Sequence, residues 1–130
     1  MYECETNGVL IRVEPDYLED ESDPETSRFV WAYTVEIENR GEDTLQLISR
    51  SWSIMDSSGK TEVVRGPGVV GEQPILRPGE RFRYTSGAPL ATPSGFMSGV
   101  YEMRRDGGGC FDAAIPAFSL DSPYDRGSIH

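Results

Sequence analysis

From Arg28 to Asn39 the apolar residues fall at every second position: Phe29, Trp31, Tyr33, Val35 and Ile37, with Glu36 and Glu38 between them. A period of two puts one face of a strand in a core and the other in water. A sheet built from such strands buries its apolar face only if a second layer covers it. No segment of the chain repeats its apolar residues with a period of 3.6 over two turns, so that layer is expected to be another sheet rather than helices.

The rest of the chain reads the same way. Val9 to Glu14 is a first strand that Pro15 ends, and Asp16 to Ser27, with six acidic residues, reads as an exposed loop. Thr44 to Asp56 is extended, with an apolar phase that shifts near Ile48 and Ser49, the mark of a bulge. Asp56-Ser57-Ser58-Gly59 turns into a strand over Lys60 to Arg65. Arg77-Pro78-Gly79-Glu80 is a turn leading to a strand over Arg81 to Ser86, with Phe82 and Tyr84 on its buried face. Gly87 to Gly95 holds two prolines and reads as a loop. Phe96 to Arg104 and Cys110 to Leu120 pair around Asp106-Gly107-Gly108-Gly109, and Pro116 makes the last strand an edge or kinks it. About seven strands with regular turns predict an all-β fold, an immunoglobulin or fibronectin type III-like antiparallel β-sandwich. A jelly roll or small barrel is the alternative. With 130 residues the chain is expected to form one domain over 1–123, followed by a polar tail at 124–130.

Charge narrows the function. The net charge is −10, which repels nucleic acid and anionic membrane surfaces, so neither is expected as a partner. The charge is uneven: Met1 to Asp43 carries 13 acidic and 3 basic residues, Arg50 to Arg83 carries 4 and 6. Eleven of the twelve basic residues are arginine, the side chain that grips phosphate or carboxylate with two bonds at once. No apolar run spans a bilayer, and the N-terminus lacks the pattern of a signal peptide. Cys4 and Cys110 read as reduced thiols of a cytoplasmic protein, with a single bridge between end strands as the alternative.

The only histidine is His130, the last residue, so neither a Ser-His-Asp arrangement nor a histidine zinc site is expected. No metal ligand set and no cofactor are predicted. The acidic loop lacks calcium-loop spacing and reads as solvated.

The candidate site is the stretch Val63 to Pro74, where Gly66, Gly68 and Gly71 stand in the order G-x-G-x-x-G. On a dinucleotide-binding turn that spacing lets backbone N–H groups approach a phosphate, but a helix must begin at the third glycine. Here Pro74, Pro78 and Gly79 follow instead. Two readings stand side by side. In one, the loop is an anion nest with Arg65 at its rim, Arg81 and Arg83 on a nearby wet face, and Arg50 on the same surface. In the other, the glycines serve a long connection between sandwich edges, with Val69 and Val70 tucked beneath it. Thr85 and Ser86, with Thr92 and Ser94 beyond them, are secondary candidates as hydroxyl donors, against an ordinary role in ending strands. Trp31 and Trp52 lie on the apolar phase and read as core rather than as a binding platform.

Several longer motifs resemble one family. They are Ser51-Trp52-x-Ile54-x-Asp56-x-x-Gly59 and Val64-x-Gly66-x-Gly68-Val69-Val70-Gly71-x-Gln73-Pro74, then Leu76-x-Pro78-Gly79-Glu80-x-Phe82-x-Tyr84-Thr85-Ser86-Gly87. Further on come Thr92-Pro93-x-Gly95-x-Met97-x-Gly99-x-Tyr101-x-Met103 and Ile115-Pro116-x-Phe118-x-Leu120. Together they resemble the ApaG family over about Val9 to Pro123. The match departs at Ser51, where many members carry an aromatic residue or histidine. The resemblance implies a fibronectin type III-like sandwich and a small cytosolic bacterial protein linked to cobalt and magnesium tolerance. It also implies a glycine motif that contacts pyrophosphate-containing nucleotides, and a kinship with interaction modules of eukaryotic F-box and polymerase-associated proteins. It supplies no catalytic residue. The expected function is a non-enzymatic binding domain that meets a protein partner, or a second copy of itself, through an edge strand. The alternative is a phosphate, pyrophosphate or nucleotide-binding module built on Gly66–Gly71. A hydrolase of such anions lacks an evident base.

Overall fold

A computed structural model describes residues 1–124 of the chain as two antiparallel sheets packed face to face. The first sheet has the order β1 (Tyr2–Thr6), β2 (Val9–Tyr17), β3 (Phe29–Asn39), β7 (Arg81–Leu90). The second has the order β5 (Thr61–Pro67), β4 (Leu45–Asp56), β8 (Ser94–Arg105), β9 (Cys110–Asp121), with the two-residue β6 (Ile75–Leu76) also on β4. The seven expected strands are present, and β1 and β6 join them.

The core follows from the alternation. Trp31, Tyr33, Val35 and Ile37 of β3, with Ile11 and Val13 of β2, face Trp52, Met97, Tyr101, Met103, Ile115 and Phe118 of the second sheet, all buried. Both tryptophans are core. Trp31 donates its indole N–H to the Asp121 carbonyl at 2.8 Å. Trp52 sits edge-on to Tyr33 at 5.3 Å and to Phe118 at 6.0 Å. Such edge-to-face contacts each contribute about 0.5–1.5 kcal/mol beyond the area they bury. One flank is closed by β1, whose Tyr2 hydroxyl meets Ser119 Oγ on β9 at 3.0 Å.

Asn39 is the one buried polar residue of the described core, and every polar group on it is used. Its amide donates to the carbonyls of Asp43 and Leu76, and its side-chain oxygen accepts from Gly41 N–H. Its backbone N–H donates to the Glu80 carbonyl, and its own carbonyl accepts from Gly79 N–H. This residue ties the end of β3 to the turn before β7.

Three expectations change. Pro15 does not end β2, which runs on to Tyr17 opposite Trp31. Leu18 N–H donates to Val30, so even-numbered positions of β2 face β3 and Pro15 faces the side where β1 has already stopped at Val13. No ladder donor is lost there. Likewise Gly87 to Leu90 is strand rather than loop, pairing with Phe29 to Ala32, because β7 is an edge and accommodates Pro89. The acidic loop folds into two short 3-10 turns, Glu19–Glu21 and Pro24–Thr26. The expected bulge is found between Leu47 and Ser49, and a second lies where Pro116 interrupts the β8–β9 register. Of the expected tail, Tyr124 packs against Tyr17 and Phe29 and donates to Glu19 at 2.8 Å; the rest, His130 included, lies outside the described residues.

Candidate functional site

β5 and β6 pair in succession with the same edge of β4, against Ser49–Met55 and Leu45–Gln46. They are two halves of one edge, and the glycine loop is the excursion between them, opposite the bulge after Leu47. Three of its amides, those of Gly68, Val69 and Glu72, are bonded to backbone carbonyls. Gly68 N–H donates to the Ile48 carbonyl at 2.9 Å. Val69 and Glu72 exchange both of their backbone bonds, at 2.8 and 2.9 Å. The reversal between them has φ of 44° at Val70 and 80° at Gly71, the geometry of a tight two-residue hairpin. Val69 is fully buried beneath it, whereas Val70 is outside and half exposed.

Arg50 points into the mouth of the sandwich and clamps this loop. Its Nη1 donates to the carbonyls of Pro67 and Gly68 at 3.0 and 2.9 Å. The guanidinium lies flat against Gly66, where an added Cβ would stand 3.1 Å from two of its nitrogens. Gly68 has less room still: a Cβ there would meet the Glu72 carbonyl oxygen at 2.1 Å. Behind Arg50 the phenols of Tyr84 and Tyr101 share a hydrogen bond across the two sheets. Burial raises the pKa of both well above the ordinary phenol range, and the charge of Arg50 opposes that only weakly.

The other sequence candidates scatter. Arg65 is on β5 opposite Ser51, at the rim of the loop. Arg81 and Arg83 belong to the first sheet, opposite Glu38 and Glu36, and the structure does not bring them to the glycines. Arg81 lies 3.8 Å from the Glu36 carboxylate and 3.7 Å from that of Glu38, beside Arg12, which bonds Glu36 at 2.7 Å. Thr85 bonds Thr34 on the outer face of that sheet at 2.9 Å, and Ser86 faces inward opposite Tyr33. Thr92 accepts from Ser57 N–H and donates to the Ser94 carbonyl within the turn it belongs to. Arg77, Arg104 and Arg105, which no motif singled out, line one cavity at the other end of β4. Cys4 and Cys110 are free. Among the described residues no three histidine, cysteine or carboxylate side chains converge as a metal site would need.

Comparison with known proteins adds a family. The ApaG domain family model matches residues 19–105. Protein ApaG of Maricaulis maris is 66% identical over 130 residues, the full length of both chains. Protein ApaG of Parvibaculum lavamentivorans is 55% identical over the same span, again covering both chains completely. The solved structure of the ApaA protein from Bordetella pertussis superposes with a TM-score of 0.87 at 42% identity, covering 96% of this chain and 100% of that one.

Proposed function

The chain belongs to the ApaG domain family, and we propose that it is a non-enzymatic binding domain that meets a protein through the second sheet. The observation that carries this is an apolar strip on the outer face of that sheet, beside its open edge. Phe96 and Met55 stand directly opposite one another on β8 and β4, 57% and 41% exposed. Val63, 54% exposed, lies diagonal to Met55 on the edge strand β5. Edge strands are ordinarily guarded by shortness, proline or charge. β1 has five residues, β7 carries Pro89 and β9 carries Pro116, whereas β5 has seven residues, no proline until its last, Pro67, and one charge of each sign, Glu62 and Arg65. A partner strand added to β5 gains backbone hydrogen bonds, and the strip beside it supplies apolar contact.

The phenols of raised pKa are sealed between the sheets rather than set in a cleft, which supports a binding role over an acid–base one. The domain is placed in the cytoplasm as part of the same proposal, and the family's link to cobalt and magnesium tolerance then runs through the partner it binds. The test is affinity capture with the intact chain and with Val63→Lys and Phe96→Glu. A stoichiometric protein retained by the parent and lost by both variants supports the reading. Capture that is unchanged by both refutes it.

A second reading keeps the Gly66–Gly71 loop as a phosphate site with Arg65. What favours it is Val70, a β-branched residue held at φ 44°, since such strain gathers at functional sites. Millimolar pyrophosphate should then shift the Gly71 amide in NMR spectra, and Arg65→Ala should weaken binding by about 1.5–3 kcal/mol.

A further inference from the structure

Arg77, Arg104 and Arg105 surround an open cavity of about 620 Å3 at the end of β4 where β6 and the β8–β9 hairpin meet. Pairing brings them together: Leu45 and Gln46 of β4 lie between Ile75–Leu76 on one side and Arg104–Arg105 on the other. We propose that this cavity binds a small multivalent oxyanion, an organic di- or triphosphate or a polycarboxylate, held by the three guanidiniums.

Four observations support it. First, in a chain of net charge −10, these arginines have no ion pair among the described residues, whose salt bridges all involve Arg12, Arg40 or Arg81. Unpaired like charges around one cavity repel each other, and a bound anion removes that cost. Second, two of the guanidiniums are held in place without being neutralised. Arg104 donates to Gln46 Oε1 at 2.9 Å, and Arg105 lies over the Phe111 ring at 4.4 Å. Glu80, the acid that closes the turn begun by Arg77, is spent on the Arg77 backbone N–H at 2.7 Å. Third, Gly107 and Gly108 form part of the wall, so backbone of the hairpin is within reach of a ligand with no side chain in the way. Fourth, Ile75, 61% exposed, supplies an apolar surface for the organic part of such a ligand. Asp106 also lines the cavity, so three guanidiniums stand against one carboxylate. The volume lies within the range of small-molecule sites.

The site is distinct from the apolar strip, which sits at the far end of β4 roughly 30 Å away by strand rise, and either proposal can fail alone. The test is titration of the full chain with inorganic phosphate, pyrophosphate, ATP and citrate, against potassium chloride at matched ionic strength, followed by amide NMR. Saturable shifts confined to Arg77 and Arg104–Gly108 are expected, with at least tenfold weaker binding in Arg77→Gln and Arg104→Gln. Both side chains are exposed, and thermal melting checks that each variant folds. Tightest binding of pyrophosphate and ATP assigns a phosphate ligand; tightest binding of citrate assigns a polycarboxylate. Shifts matched by chloride, shifts at Gly66–Gly71 instead, or affinity unchanged in both folded variants would each overturn the proposal.

Discussion

Replacing Gly68 by alanine tests whether the glycine loop is built by sterics. At φ 60° any L-residue other than glycine pays for the left-handed backbone, about 1–2 kcal/mol, partly offset by a stiffer unfolded chain, about 0.4–1 kcal/mol. The decisive part is contact. The new Cβ would stand 2.1 Å from the Glu72 carbonyl oxygen, and real Cβ atoms essentially never approach closer than 3.0 Å. That carbonyl accepts from Val69 N–H at 2.8 Å, and Val69 is fully buried. Retreat of Glu72 breaks the bond and leaves a buried donor unpaired, about 1–3 kcal/mol. Gly68→Ala should therefore cost about 3 kcal/mol, or roughly 10 °C in Tm for a domain of this size. Gly71→Ala is the control, because φ there is 80° but nothing lies within 4 Å of the added Cβ. It should cost no more than about 1 kcal/mol. Urea unfolding of both variants with a common m-value gives the comparison. Equal costs for the two would refute the steric account of Gly68.

The buried phenol pair makes stability depend on alkaline pH. Burial raises both pKa values, so an unfolded tyrosine releases its proton at about pH 10 while Tyr84 and Tyr101 still hold theirs. Their contribution is complete below pH 10 and is lost as pH rises beyond it, by about 1.4 kcal/mol per pH unit for each phenol; unfolding free energies measured between pH 9 and 11.5 should show this slope, and Tyr84→Phe/Tyr101→Phe should flatten it. At neutral pH Tyr84→Phe alone strands the Tyr101 hydroxyl and should cost about 1–3 kcal/mol, with the double variant costing less than the two singles added, as a double-mutant cycle would read. Asn39→Ala removes three side-chain hydrogen bonds of a buried residue and should lower stability by about 3 kcal/mol in urea titration. Arg40→Gln, next in the chain but on the surface, should stay within about 0.5 kcal/mol in the same titration. Val70→Asn, relieving a β-branched residue at φ 44°, should raise stability by about 0.5–1 kcal/mol in thermal melts.

Strands with one wet face were legible because alternation is local: β3 reveals its buried side in its own eleven residues. The bulge of β4 was legible for the same reason, as a phase change along one stretch. β1 was not. Its inward side is only Tyr2, Cys4 and Thr6, set between Glu3 and Glu5, and what makes it a strand is its pairing with β2 and its reach to β9. β6 has two residues and exists only because β4 runs beside it. The extension of β7 was hidden by Gly87 and Pro89, whose cost in a strand depends on whether the strand is an edge, a property of the sheet rather than of the segment. The same limit hid the arginine cavity. Arg77 and Arg104 are distant in sequence and meet because β6, which leads into Arg77, and β8, which carries Arg104, flank the start of β4 from either side.

The glycine motif shows the converse, a pattern plain in the sequence whose parts have separate causes. In a dinucleotide-binding turn all three glycines serve one ligand and one helix. Here Gly66 makes room for the Arg50 guanidinium, Gly68 lets the chain pass against Glu72, and Gly71 completes a reversal with open space around it. Each cause is a feature of the point where the edge of β4 changes partner from β5 to β6. The bulge after Leu47 breaks the ladder there, Val69 fills the core beneath the break, and Arg50 ties down the carbonyls the loop would otherwise leave unpaired. Arg50, a secondary candidate for the loop's anion, is thus turned inward on the loop itself, while Arg65 stays at the rim. What distinguishes the start of β4 is convergence: Arg77, Arg104 and Arg105, none of them ion-paired among the described residues, line one cavity, whereas Arg50 at the loop is engaged by the Pro67 and Gly68 carbonyls.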